Sequence, residues 1–152
     1  MDPRFNPSAL SPAAYRAMLA LEGHLATCGL ERSLVHLLKL RVSQMNGCAF
    51  CIDMHWKDLR ASGEGEQRLY GLDAWREAPW YSERERAALE WAEALTRITE
   101  GHASDAAYEK VRAHFAGKEL SDLTFAVTTI NAWNRLAISA RTRPGTYQPA
   151  AR

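Results

Sequence analysis

From Leu123 to Ala140 the sequence reads LTFAVTTINAWNRLAISA, apolar around most of the circumference that a helix presents. One solvent-facing stripe does not account for such a helix. It has to be the central helix of a bundle, or be covered in part by a second subunit. Ser121 fits its N-cap, and Arg143-Pro144-Gly145 marks its end.

The rest of the chain supplies helices to surround it. Ser11 and Pro12 match an N-cap and first helical position, and the helix runs through Tyr15, Met18, Leu19 and Leu25 to about Cys28, where Gly29 stops it. A second runs from Glu31 to about Met45, with Leu34, Val35, Leu38, Val42 and Met45 at helical spacing. Asn46-Gly47 tolerates left-handed backbone and ends it. A third begins around Cys48 and reaches Ser62 before Gly63 and Gly65. Glu66 to Trp80 reads as a short helix and a loop. Ser82 and Glu85 form a capping box ahead of Ala88, Leu89, Trp91, Ala92 and Leu95. Ser104 opens a further helix that Gly117 ends. No segment alternates apolar and polar residues long enough for a strand. The expectation is an all-α bundle of about six to seven helices in one domain over 1–152. Residues 1–11, with Pro3 and Pro7, are expected to form an extended arm, and 142–152 a loose tail.

Hydrophobic residues make up 47% of the 152 positions and charged ones 24%, which excludes intrinsic disorder. A net charge of +1 lacks the positive field that nucleic acid or an anionic membrane calls for. Neither is expected as a partner. No apolar run approaches the roughly 18–20 residues of a membrane span, and MDPRFNPSAL does not read as an export signal, so the expected location is the cytoplasm.

The chemistry is concentrated in Asn46-Gly47-Cys48-Ala49-Phe50-Cys51-Ile52-Asp53-Met54-His55. On a helix, Cys48, Cys51 and His55 fall along one stripe. A thiol attacks peroxide or disulfide only as thiolate, so its pKa of about 8.5 has to be lowered. The helix N-terminus offers exposed amides, and His55 offers a base or a cation. A second thiol one turn away can then condense with a sulfenic acid, closing a disulfide and releasing water. Helix position alone favours Cys48 as the more acidic thiol. Two other readings fit the same residues. A zinc site from the CxxC and His55 lacks a fourth ligand of recognisable spacing, and the cysteines can also be small packing residues. His24, His102 and His114 have no partner of recognisable spacing, and Cys28 reads as a small buried residue near a helix end.

The run LLKLRVSQMNGCAFCIDMHWKDLR resembles the core of the carboxymuconolactone decarboxylase superfamily, and its NGCxxC with a histidine four residues on resembles the AhpD-like alkylhydroperoxidase branch. GEQRLYGLDAWREAPWYSERERAALEWAEALT and INAWNRLAIS are similar to that branch too, so the likeness covers most of the chain. The resemblance implies a helical protein assembled as trimers or hexamers. It implies reduction of a hydroperoxide with electrons from a dithiol reductant such as a lipoyl or thioredoxin-type protein, with no cofactor and no metal. By position, Cys51 matches the peroxidatic cysteine, Cys48 the resolving cysteine and His55 the activating histidine.

Two positions depart from the family's pattern. Phe50 stands where the best-characterised members have a histidine between the cysteines, and it shapes a less polar pocket. His36 stands twelve residues before Cys48, where a glutamate usually completes the proton relay. A neutral imidazole cannot supply the negative charge that steadies a protonated histidine, so the relay is expected to weaken or to run through water or another carboxylate such as Asp53. Trp133 and Asn134, set in the apolar last helix, are candidates for a substrate pocket or for interface packing. A carboxymuconolactone-decarboxylase-type lyase and a non-catalytic redox sensor are the competing functions. The intact CxxC argues against the lyase.

Overall fold

The computed structural model describes residues 2–149. They form α1 (Pro7–Leu10), α2 (Pro12–Leu25), α3 (Arg32–Asn46), α4 (Ala49–Ala61), α5 (Glu66–Tyr70), α6 (Glu83–Thr96), α7 (Ile98–Gly101), α8 (Asp105–Arg112) and α9 (Lys118–Ala140), with a single 3-10 turn at Leu72–Ala74. The class is all-α. Six of the nine helices run beyond seven residues, which matches the expected size of the bundle. Among the described residues no helix is long and apolar enough to cross a membrane.

The all-round apolar segment is the axis of the bundle. α9 packs against α2, α3, α4 and α6 through Leu123, Ala126, Val127 and Ile130, all of them buried. Its outer side carries Phe125 and Ile138, each nearly half exposed at 48% and 46%. The helix starts earlier than its sequence signals suggest: Gly117 is the N-cap, so Ser121 lies within the first turns instead of capping. It stops at Ala140, where Arg141 takes a left-handed conformation with φ 56°.

Other boundaries follow their chemistry. The Ser82–Glu85 capping box is formed in both directions, the Glu85 amide donating to Ser82 Oγ at 3.2 Å and the Ser82 amide to Glu85 Oε2 at 2.8 Å. α2 ends at Leu25, a turn short of the expected Cys28, and Ser11 makes no capping hydrogen bond. The expected extended arm contains a helical turn, because Asn6 Oδ1 accepts from the Ser8 and Ala9 amides in front of Pro7. The Arg4 amide then donates to the Ala140 carbonyl at 2.9 Å and fastens the arm to the end of α9.

One buried ionic cluster joins α3 to α6. Glu93, 5% exposed, accepts from Arg41 Nε at 2.7 Å, Trp75 Nε1 at 2.9 Å and Arg76 Nη1 at 2.6 Å. Burial opposes its charge, but these three donors outweigh it and hold the carboxyl below its ordinary pKa. Removing one partner of a buried pair leaves an uncompensated charge. Arg41→Met is therefore expected to lower unfolding stability by about 3 kcal/mol in a urea titration.

Candidate active site

The cysteines owe their position to a turn of two residues. Gly47 takes φ 69°, a left-handed conformation that costs a side-chain-bearing residue about 1 kcal/mol or more, and so turns the chain from α3 into α4. Asn46 fixes that turn against the central helix: its Nδ2 donates to Asn131 Oδ1 at 2.9 Å and Asn134 Oδ1 at 2.8 Å. Asn134 Nδ2 donates in turn to Ser43 Oγ at 3.0 Å. Asn134 is fully buried in this network and does not line the cavity that holds Cys51, which corrects its candidacy for a substrate pocket: its amide braces the turn against α3.

Cys48 is the N-cap of α4, and its Sγ accepts the Cys51 amide at 3.4 Å. Cys48 and Cys51 are joined in a disulfide, with Cα atoms 5.3 Å apart and both residues buried. The two cysteines line different cavities. Cys51 lines one of about 310 Å³ together with Phe50, Met54, His55 and Trp133. Cys48 lines another of about 600 Å³ at the far side of Phe50, together with Arg4, Arg141 and Arg143.

His55 follows Cys51 by one turn of α4 and is buried. Its Nδ1 lies 3.3 Å from Nδ1 of His36, which α3 projects from the opposite wall. Among the described residues His55 Nε2 has no hydrogen-bond partner. Burial, aided by the nearby Lys39 ammonium and His36, holds the His55 imidazole well below its ordinary pKa. His36 is likewise lowered by burial, with the Asp58 carboxylate pulling the other way.

Asp58, not Asp53, is the carboxylate of this site. Its Oδ2 stands 3.7 Å from His36 Nδ1, and its Oδ1 accepts from Tyr147 Oη at 2.7 Å. Burial and that hydrogen bond push the Tyr147 hydroxyl up to about 12. Asp53 is turned away: it accepts from Lys57 Nζ at 2.9 Å and from the Gly145 amide at 3.0 Å. Lys57 also donates to the carbonyls of Tyr147 and Gly145, so the tail expected to be loose is strapped along α4 as far as Tyr147; residues 150–152 lie outside the described residues.

The polar end of the cavity is completed by Lys39, buried and paired with Glu22, which also accepts from Trp133 Nε1 at 3.0 Å. Tyr15 meets Trp133 edge-on with ring centres 5.2 Å apart. Trp133 thus stands on the cavity wall beside Phe50 and Tyr15. Sequence reasoning missed Glu22, Lys39, Asp58 and Tyr147. Helical spacing offered a signal for two of them, since Lys39 and Asp58 each stand three residues after a site histidine. Nothing local pointed to Glu22 or Tyr147, which come from distant segments.

Comparison with known proteins adds the lineage. Residues 12–94 match the model of the carboxymuconolactone decarboxylase family. The uncharacterised protein YdfG of Bacillus subtilis is 41% identical over 143 residues, covering 94% of this chain and 97% of that protein. A crystal structure of an Agrobacterium tumefaciens protein of unknown function, ATU0492, named as a candidate antioxidant defence protein AhpD, superposes with a TM-score of 0.92 at 44% identity, covering 96% of this chain and all (100%) of that one. An uncharacterised peroxidase-related protein with an AhpD core from Ralstonia eutropha shares the fold, with a TM-score of 0.80 at 22% identity over 91% of this chain and 74% of that one. With an all-helical architecture, a CxxC at a helix start and a histidine one turn beyond it, the chain belongs to the AhpD-like branch of the carboxymuconolactone decarboxylase family.

Proposed function

We propose that the chain is a cysteine-based peroxidase whose Cys48–Cys51 pair cycles between dithiol and disulfide. The observation that carries this reading is His55 Nε2, a buried nitrogen that finds no partner among the described residues and belongs to the same cavity lining as Cys51. Buried polar atoms are nearly always satisfied, and reduction of the disulfide supplies a thiol one helical turn away.

In the reduced protein, His55 Nε2 takes the Cys51 proton. The Nδ1 proton passes to His36 Nδ1, 3.3 Å distant, and the resulting imidazolium faces Asp58 at 3.7 Å. The negative charge that His36 cannot furnish is thereby provided one residue further along. The Cys51 thiolate attacks a peroxide oxygen and breaks the O–O bond; sulfur becomes sulfenic acid, and the departing alkoxide takes up the stored proton as an alcohol. Cys48 then displaces the sulfenic hydroxyl as water, leaving the disulfide. A dithiol reductant, of the lipoyl or thioredoxin type, exchanges with it, becomes a disulfide itself and restores both thiols.

The place of the two cysteines in different cavity linings supports this division of labour. Apolar Phe50, Met54 and Trp133 face the side where an organic hydroperoxide meets Cys51, and the arginine-lined side gives the reductant access to Cys48. Assembly as a trimer or hexamer and residence in the reducing cytoplasm belong to the same proposal. The exposed Phe125 and Ile138 support the first, and the need for a dithiol donor supports the second.

Steady-state consumption of cumene hydroperoxide with a dithiol donor tests the reading. Cys51→Ser is expected to abolish turnover. Cys48→Ser is expected to allow one turnover, with sulfenic acid at Cys51 trapped by dimedone and seen by mass spectrometry. An inert unaltered protein, or free thiols that persist after stoichiometric peroxide, refutes it. His55→Gln should lower kcat/KM by about 100-fold, in keeping with loss of a general base. Asp58→Asn should lower it about tenfold, while His36→Glu, which puts a carboxylate beside His55, retains most of the activity.

A further inference from the structure

The geometry points to a divalent transition-metal site of the Zn²⁺ class at His36, His55 and Asp58. A ligand atom from each lies within 4.8 Å of the others. The set was invisible in the chain's own CxxC arithmetic because it is built from two helices: His55 and Asp58 are one turn apart on α4, and His36 comes from α3.

Three features fit a metal ion. An ion about 2.0–2.1 Å from each ligand in tetrahedral geometry sets two ligand nitrogens about 3.3 Å apart. The two Nδ1 atoms here are 3.3 Å apart and the Asp58 oxygen stands 3.7 Å from His36 Nδ1; all three ligand atoms lie within 4.8 Å of one another, so the Asp58 carboxylate closes the tetrahedron by moving toward His55 by up to about 1.5 Å. Two imidazoles and one carboxylate are ligands suited to Zn²⁺ or Co²⁺, and three protein ligands leave a fourth position toward the cavity that all three residues line. Finally, Tyr147 holds Asp58 Oδ1 at 2.7 Å and leaves Oδ2 directed at His36, the outer-sphere arrangement that orients a ligating carboxylate. The surrounding charges nearly cancel: Lys39 and Arg32 oppose a cation, while Glu22, paired with Lys39, and Asp58 favour it.

Metal binding and proton transfer need the same Nδ1 lone pairs. An ion bridging them blocks the His55-to-His36 step, so the metal acts as a reversible inhibitor; this consequence rests on the proposed peroxidase reading.

The test is titration of the full-length oxidised protein with CoCl₂, read by the visible d–d bands of four-coordinate Co²⁺, followed by displacement with ZnCl₂ and metal analysis after dialysis. Keeping the disulfide closed withholds the thiols. One ion per chain is expected, unchanged in a Cys48→Ser/Cys51→Ser variant and in a His24→Ala/His102→Ala/His114→Ala variant. His36→Gln and Asp58→Asn should each weaken binding by about tenfold or more, and Tyr147→Phe by about tenfold. On the unaltered protein, histidine ring ¹⁵N shifts should report Zn²⁺ on Nδ1 of His36 and His55, which keeps the test independent of how the variants fold. No saturable uptake, uptake indifferent to His36→Gln and Asp58→Asn in folded protein, or loss in the cysteine variant overturns the site. Because binding is measured without peroxide, its failure is separate from that of the peroxidase reading. Turnover that ignores full occupancy overturns the relay and leaves the site standing.

Discussion

The arrangement of the site depends on one joint, the passage from α3 to α4 through Asn46 and Gly47. Gly47 reverses the chain within one residue, and Asn46 anchors the reversal to Asn131 and Asn134 on the central helix. Everything reactive is laid out from there. Cys48 falls at the N-cap, where an amide meets its sulfur. Cys51 and His55 follow at one-turn intervals, and α3 doubles back so that His36 faces His55. A joint bonded to the bundle axis transmits the rigidity of the core to the cysteines, which short turns at a protein surface do not have.

The polar end of the cavity is held by groups that are individually costly to bury. Lys39 is charged and nearly inaccessible, and its partner Glu22 also receives the Trp133 indole. The His36 and His55 imidazoles resolve the same cost differently, by staying neutral. One side of this pocket is thus ionic and fixed, while the other is uncharged and able to accept a proton.

Local patterns in the sequence made most of the helices legible. Caps such as Ser82–Glu85 and breakers such as Gly47 act over four residues or fewer, and they sit where the sequence placed them. What escaped depends on contacts between remote segments. Asn134 reads as a candidate for a substrate pocket or for interface packing until Asn46 and Ser43 are found against it. Asp53 lies within the motif and Asp58 just after it, and contacts with the tail help decide between them: Gly145 and Lys57 claim the first, and Tyr147 bonds the second beside His36. The early start of α9 was hidden too, because Ser121 is a better cap by type than Gly117, which caps the helix without a side-chain hydrogen bond.

The disulfide also divides space. With Cys51 in the lining of an apolar chamber and Cys48 in that of an arginine-rich one, and Phe50 contributing to both, the disulfide stands in the wall between two compartments. Under the proposed cycle, two reactants that differ in size and polarity need not queue at a single doorway.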